Sequence, residues 1–219
     1  IEQITLSDVT DTPAAFSPSD TKAELLAKGV PHIEIRGTSF FIGYQQVSAN
    51  NQNPILARFD GDVQTYVRTD YETTGDDQKG YGIIWDGQAS LYAVFSATGT
   101  QGNASEDFRR FMGNAWLNSY GQGGGPKVSI IGQINPTTGA VQLATFLKAQ
   151  LSNGDSNTLI VRELDLGENK LLVRADAWFS PLQTDRSPMT CQGSSPFDYQ
   201  LELSGDLSSV RTATATNCQ

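Results

Sequence analysis

Apolar and polar residues alternate with a period of two along most of the chain, and short polar turns separate the alternating runs. Because successive side chains of a β-strand point to opposite faces, this period predicts half-buried strands. Residues 128–150, VSIIGQINPTTGAVQLATFLKAQ, contain two such runs on either side of a Pro-Thr-Thr-Gly turn. This stretch therefore predicts one long β-hairpin.

Five further hairpins are predicted in the same way. Their turns contain Gly, Asp or Asn, which adopt a positive φ or bond back to the main chain, as tight hairpin turns require. The six predicted turns lie at residues 36–37, 60–61, 86–87, 135–139, 165–169 and 205–206. The sequence thus predicts an all-β fold of about twelve antiparallel strands, which we treat as a single domain over residues 1–219.

The six hairpins can be grouped into three four-stranded units. We pair the Asp60 hairpin with the Asp86 hairpin, and the Gly139 hairpin with the Gly167 hairpin, because a similar polar connector joins the two members of each pair. The first and last hairpins, 32–47 and 198–216, then form the third pair, and we expect them to lie side by side so that no open edge remains. A simple meander would contain the same hairpins, and it is the alternative.

Helical spacing appears first in the N-terminal arm, residues 1–30. Thr21 and Glu24 have the spacing of a capping box, and Gly29 and Pro31 can end a helix. The sequence therefore predicts a short helix over residues 20–28.

The second departure from the period of two is an insertion over residues 99–127. Phe108 and Met112 share one face at helical spacing, which predicts a helix over residues 104–117. Long insertions on a rigid sheet often carry binding residues. We therefore take four residues of this insertion as candidate ligand or partner contacts: Arg109, Arg110, Trp116 and Tyr120. The alternative is that Trp116 continues the buried face of the helix.

The stretches INPTTGAVQLATFL and LDLGENKLLVRADAWFS resemble the blades of bacterial secreted β-propellers in the chemistry of their turns. The resemblance covers about one third of the chain, and it implies propeller-like, four-stranded repeats. Propellers usually have four to eight blades, whereas this chain has hairpins for three. A closed, barrel-like sheet and a partial propeller completed by dimerisation are the alternatives.

Charge and hydropathy narrow the classes of partner. The chain has 24 acidic and 15 basic residues and a net charge of −9. Nucleic acids and anionic membranes both require clustered Lys and Arg, so we expect neither as a partner. No apolar run approaches the length of about 18 residues that a membrane-spanning helix needs, so we expect no membrane insertion.

Cys191 and Cys218 are the only cysteines in the chain. The even number, the low charge and the position of both near the C-terminus predict one disulfide bond. Because disulfides persist in oxidising compartments, we expect an extracellular or periplasmic protein of a bacterium. Two free thiols in a cytosolic protein are the alternative.

Few residues support catalysis or metal binding. The only histidine is His32, and the chain has no Gly-x-Ser-x-Gly motif. A Ser-His-Asp triad would have to use His32, so the sequence gives little support for a hydrolase of this kind. The remaining candidates are turn carboxylates, which could serve a glycosidase or hold Ca²⁺, although their spacing does not match the twelve-residue calcium loop. These carboxylates are Asp70, Glu72, Asp76, Asp77, Asp165 and Glu168. We expect no cofactor, with Ca²⁺ as the alternative.

The sequence favours a non-enzymatic module for recognition or assembly that binds protein or carbohydrate. Trp85 and Trp178 lie in alternating runs, where we expect core packing, so Trp116 and Tyr120 are the aromatic candidates for contact. A secreted, glycan-directed hydrolase that uses turn carboxylates is one alternative. A structural subunit of a surface assembly is another.

Overall fold

A computed structural model describes residues 6–98, 102–121 and 128–219. In these ranges the chain forms fifteen strands, one α-helix and one 3₁₀ helix, so the predicted all-β class is confirmed. The strands are β1 (Leu6–Val9), β2 (His32–Ile35), β3 (Thr38–Ser48), β4 (Asn51–Asp60), β5 (Val63–Arg68), β6 (Gln78–Trp85), β7 (Leu91–Ala97), β8 (Val128–Ile134), β9 (Val141–Leu147), β10 (Ala149–Gln150), β11 (Ser156–Asn157), β12 (Leu159–Gly167), β13 (Lys170–Ala177), β14 (Phe197–Ser204) and β15 (Val210–Ala215). The helices are α1 (Lys22–Ala27) and the 3₁₀ helix Phe108–Phe111.

The strands form three main sheets and one two-stranded ribbon. The first sheet has the order β2-β3-β4-β5, the second β1-β6-β7-β8-β9, the third β12-β13-β14-β15, and the ribbon joins β10 to β11. Each sheet is a meander of consecutive strands, except that β1 pairs with β6 at the edge of the second sheet. All these strand pairs are antiparallel.

All six predicted turns join paired strands, but the predicted grouping of the hairpins is wrong. Hydrogen bonding groups the Arg36 turn with the Asp60 turn, the Asp86 turn with the Gly139 turn, and the Gly167 turn with the Gly205 turn. A two-residue turn after Ser48 pairs β3 directly with β4. Closing so short a loop costs little entropy, which favours pairing of β3 with β4 in one sheet. The longer polar connectors, which we expected to join two hairpins into one unit, instead lie between one sheet and the next.

The predicted pairing of hairpin 32–47 with hairpin 198–216 is also wrong. The first hairpin lies in the first sheet and the last hairpin in the third sheet. In the described residues, each main sheet has its own two edge strands, and hydrogen bonding does not join the sheets into one closed barrel.

The helix predicted in the N-terminal arm is confirmed. The Thr21 side chain accepts from the backbone of Glu24, and the Glu24 carboxylate accepts from the backbone of Thr21 at 2.8 Å. Lys22 fastens this helix to the first sheet, because its ammonium donates to Gly61 O at 3.2 Å and pairs with Glu34 at 2.9 Å.

The helix predicted over residues 104–117 is much shorter than expected, since only Phe108–Phe111 are helical in the described part of the insertion. Backbone groups beyond this turn bond to the sheets instead. Trp116 N donates to Leu207 O at 2.8 Å, and Leu117 N donates to the Thr145 hydroxyl at 3.0 Å. These tertiary hydrogen bonds replace the intrahelical bonds that a longer helix would need. Tertiary contacts therefore override the helical spacing of the apolar residues.

The second sheet is the middle layer of the fold. Ile83 and Ile84 are neighbours on β6 and both are fully buried, Ile83 in the core shared with the first sheet and Ile84 in the core shared with the third. Ile130 and Ile131 divide in the same way on β8. A sheet covered on both faces requires continuous apolar runs, which explains why these strands alternate least.

The outer layers differ from each other. Helix α1 and the arm cover the outer face of the first sheet through Phe16, Leu25 and Val30. The outer face of the third sheet carries Arg174 and other polar side chains. No helix in the described ranges is long and apolar enough to cross a membrane.

Candidate functional site

The two aromatic residues predicted to contact a ligand are buried. Trp116 is 3% exposed, and its indole nitrogen donates to Thr184 O at 3.1 Å. Tyr120 is 4% exposed and packs edge-on against Phe146, with ring centroids 5.0 Å apart. Neither ring offers a free face for stacking, which favours the alternative that these residues belong to the core.

The two predicted arginines are engaged in contacts of their own, Arg109 within the insertion and Arg110 with the connector after β5. The Arg109 guanidinium donates to the buried Asp107 carboxylate at 2.8 Å, and this hydrogen bond raises the pKa of Arg109. Arg110 lies over the Phe111 ring at 4.6 Å and donates to the backbone oxygens of Ser105 and Asp70. The four predicted contact residues therefore form no common open surface. Residues 99–101 and 122–127 of the insertion lie outside the described ranges.

An exposed pair of aromatic residues lies elsewhere, directly after β13. Trp178 is 40% exposed and Phe179 is 41% exposed. The expectation that Trp178 packs in the core is therefore wrong, whereas Trp85 is buried as expected at 6%. The sequence carries a signal for the exposure of one of these rings, since one of two adjacent aromatics must face outward when side chains alternate.

Phe179 lines a cleft of about 300 Å³ beside the disulfide bond. The bond joins Cys191 to Cys218, as predicted, and backbone pairing of Gln192 N to Asn217 O at 2.9 Å ties the cleft loop to the C-terminus. The cleft is lined by Phe179, Ser180, Cys191, Gly193, Ser194, Ser195 and Phe197. No charged side chain is among these described lining residues, so the cleft suits a neutral ligand.

The backbone at Phe179 is strained. Its φ is 98°, a region that bulky residues rarely adopt. The neighbouring backbone holds it there, because Trp178 N donates to Thr158 O at 2.9 Å and Gln150 N donates to Ser180 O at 2.8 Å. Strain of this kind costs about 1–3 kcal/mol, and it is often found where a side chain is positioned for function.

A second cleft, of about 400 Å³, lies between the second and third sheets. Its lining includes Lys170, Asp206 and Arg211. Lys170 pairs with Glu202 at 2.9 Å, and Asp206 accepts from the Ser204 hydroxyl at 2.6 Å. Its aromatic residue Tyr92 is 4% exposed. This cleft therefore has charged groups that are already engaged, and it has no stacking surface.

The turn carboxylates do not gather at either cleft. Asp70 pairs with Arg68 at 2.7 Å, and Asp77 accepts from Gln52 N at 3.1 Å. Glu72 and Asp76 are buried, and Glu168 is exposed on its turn.

Asp165 is the one turn carboxylate that lines a groove, which has a volume of about 170 Å³ and lies on the outer face of the third sheet with Glu163 and Glu202. A hydrogen bond from Lys170 lowers the pKa of Glu202. A glycosidase needs one carboxyl with a raised pKa, so this lowering does not favour an acid catalyst there.

Comparison of the chain with protein-family models, with curated proteins and with solved structures found no match. The resemblance to secreted β-propellers therefore stays a prediction.

Proposed function

We propose that this protein is an extracytoplasmic recognition module that binds a neutral carbohydrate at Trp178, Phe179 and the adjoining cleft. The observation that carries the proposal is the exposure of two adjacent aromatic rings, one of which lines a cleft with serine hydroxyl groups. Aromatic faces pack against the apolar faces of sugar rings, and nearby hydroxyl and backbone groups bond to the sugar hydroxyls.

Three further features support a preformed binding surface. The strained backbone places Phe179 at the cleft before any ligand arrives, which lowers the entropy cost of binding. The disulfide bond and the backbone pairing beside it hold the loop that contributes Cys191 and Gly193 to the cleft lining. A disulfide also supports an extracellular or periplasmic location, where glycans are abundant.

The test is calorimetric titration of the whole chain with a panel of neutral oligosaccharides built from glucose, mannose, xylose or N-acetylglucosamine. Trp178→Ala and Phe179→Ala should each weaken binding by about 1–3 kcal/mol, the range for an interface anchor. Val63→Ala is the matched control, because Val63 is 68% exposed on the first sheet, away from the cleft. The melting temperature of all three variants should stay close to that of the original protein, since exposed substitutions cost little.

If both aromatic variants bind sugar as tightly as the original protein does, the proposal is overturned. Failure of every sugar in the panel, together with aromatic-dependent capture of a peptide or protein, would assign the surface to a protein partner instead.

A further inference from the structure

The connector between β5 and β6, residues 69–77, folds back onto the start of β4. Asn51 Nδ2 donates to Thr74 O at 3.2 Å, and Asn53 Nδ2 donates to Glu72 O at 2.9 Å. Between them, Gln52 N donates to the Asp77 carboxylate at 3.1 Å. Three consecutive residues of β4 therefore hold this connector in place.

The same contacts leave a set of buried oxygen atoms without partners. In the described part of the chain, the side-chain oxygens Asn51 Oδ1, Asn53 Oδ1, Glu72 Oε2 and Gln78 Oε1 have no hydrogen-bond partner. Glu72 is 0% exposed, Gln78 is 2% exposed and Asn53 is 7% exposed. Buried polar atoms are nearly always satisfied, so four unsatisfied ones in the connector and the strands next to it need an explanation.

The orientation of both asparagines is fixed by their partners. Each amide nitrogen of Asn51 and Asn53 faces a backbone carbonyl oxygen. Exchanging nitrogen and oxygen would place two acceptors against each other, so the unsatisfied atoms are the oxygens.

Gln78 belongs to the same neighbourhood. It begins β6, and its neighbour Asp77 accepts from the backbone of Gln52. The neighbour on its other side, Lys79, lies over the Tyr44 ring at 4.7 Å, and Tyr44 pairs with Pro54 of β4. Gln78 therefore follows directly after a residue that contacts β4 between Asn51 and Asn53.

All four unsatisfied atoms are acceptors, and this limits which single ligand could satisfy them together. A water molecule has two protons to donate and a protonated Glu72 has one, so neither alone serves four acceptors. A cation serves all of them. Ca²⁺ takes six to eight oxygen ligands and accepts carboxylates, amide carbonyls and water, whereas Mg²⁺ prefers to keep several waters, and zinc prefers nitrogen and sulfur.

The local charge also favours a divalent cation. Glu72 lies near the buried carboxyl groups of Asp76 and Asp107, so several acidic side chains share this neighbourhood. Arg109 offsets part of this negative charge through its bond to Asp107. The described residues contain no group of three or more His, Cys, Asp and Glu side chains arranged to hold a metal, so the amide oxygens are essential to the site.

We propose that Asn51, Asn53, Glu72 and Gln78 bind one Ca²⁺ ion that joins the β5–β6 connector to strand β4. The ion would link the first sheet to the start of the second, because β4 belongs to one and Gln78 to the other. Ca²⁺ binding to the folded chain alone would stabilise it by mass action.

The experiment measures Ca²⁺ binding and thermal unfolding of the whole chain after treatment with a chelator. CaCl₂ should bind at one ion per chain and raise the melting temperature, and MgCl₂ and KCl at equal ionic strength should raise it less. Glu72→Gln should weaken Ca²⁺ binding by about tenfold or more. Asp70→Asn is the matched control, because Asp70 lies in the same connector and pairs with Arg68, and it should bind Ca²⁺ like the original protein.

The variant Gln78→Met tests whether the buried Gln78 Oε1 is a Ca²⁺ ligand or an oxygen that only lacks a hydrogen-bond partner. This change removes the oxygen and preserves most of the side-chain volume, so it should raise the melting temperature without Ca²⁺ and weaken Ca²⁺ binding. Absence of Ca²⁺ binding by the original protein at about 1 mM, the weak end of extracellular sites, would overturn the proposal even if the variants do not fold. Unchanged Ca²⁺ affinity in both Glu72→Gln and Gln78→Met would overturn it as well.

Discussion

The indole nitrogen of Trp116 donates a hydrogen bond of 3.1 Å to the backbone carbonyl oxygen of Thr184. This bond joins the insertion between β7 and β8 to the loop between β13 and β14. Because Trp116 also packs in the core between the second and third sheets, it supports the fold from the inside.

Replacing Trp116 should therefore reduce stability. Trp116→Ala removes a buried indole and should lower the free energy of unfolding by about 3–5 kcal/mol. Trp116→Phe preserves most of the packing and loses the hydrogen bond, so it should cost less. Urea unfolding measures both, with Trp178→Ala as the exposed control. A Trp116→Ala protein as stable as the original would contradict the core role.

Gly43 should tolerate no side chain. A Cβ atom at this position would overlap the backbone oxygen of Ala14, in the arm that bonds to Tyr44. Gly43→Ala should then cost about 1–3 kcal/mol through displacement of the arm. Gly113→Ala is the matched control, since a Cβ there meets no atom within 4 Å, and it should be nearly neutral. Thermal unfolding of the two variants gives the comparison, and equal melting temperatures would contradict the predicted overlap.

The disulfide bond should stabilise the third sheet and the cleft beside it. It closes a loop with a sequence separation of 27 residues. The chain-entropy model gives about 3.5 kcal/mol for a loop of this size. The double variant Cys191→Ser with Cys218→Ser should lose about this much in urea unfolding. Alkylation of the folded protein without reductant should add no label, and two labels would show that the thiols are free.

Asp206 should contribute stability that depends on pH. Hydrogen bonds from the hydroxyls of Ser204 and Ser208 lower the pKa of Asp206 from its usual value of 3.8. Since the pKa is lower in the folded chain, the contribution is present above about pH 4 and is lost as pH falls through the folded pKa.

Asp206→Asn tests this dependence. At neutral pH the variant should be less stable by about 0.5–1 kcal/mol, a small value because the side chain is exposed. The difference should shrink as the pH falls below about 4 and through the folded-state pKa of Asp206, as the carboxyl becomes protonated in the folded chain. Urea unfolding across this range measures it, with Asp62→Asn at the exposed β4–β5 turn as the control. A stability difference that is independent of pH would rule out the carboxylate as its source.

Local features of the chain could be predicted from the sequence because a few contiguous residues determine them. The turns at Gly61 and Gly139 need a positive φ, which glycine adopts freely, and both residues have it in the structure. The capping box of Thr21 and Glu24 needs only the spacing of two side chains. The pairing of Cys191 with Cys218 followed from their number.

Tertiary contacts decided the grouping of the hairpins and the place of the aromatic residues. Trp178 lies one residue past Ala177, where the pairing of β12 with β13 ends, so the end of the sheet leaves it exposed. Trp116 is buried because the third sheet packs over it. The sequence by itself determined the all-β class, the six hairpins, the short helix and the disulfide. Which sheet covers a given side chain depends on contacts between residues far apart in the chain, and only the tertiary structure decides these contacts.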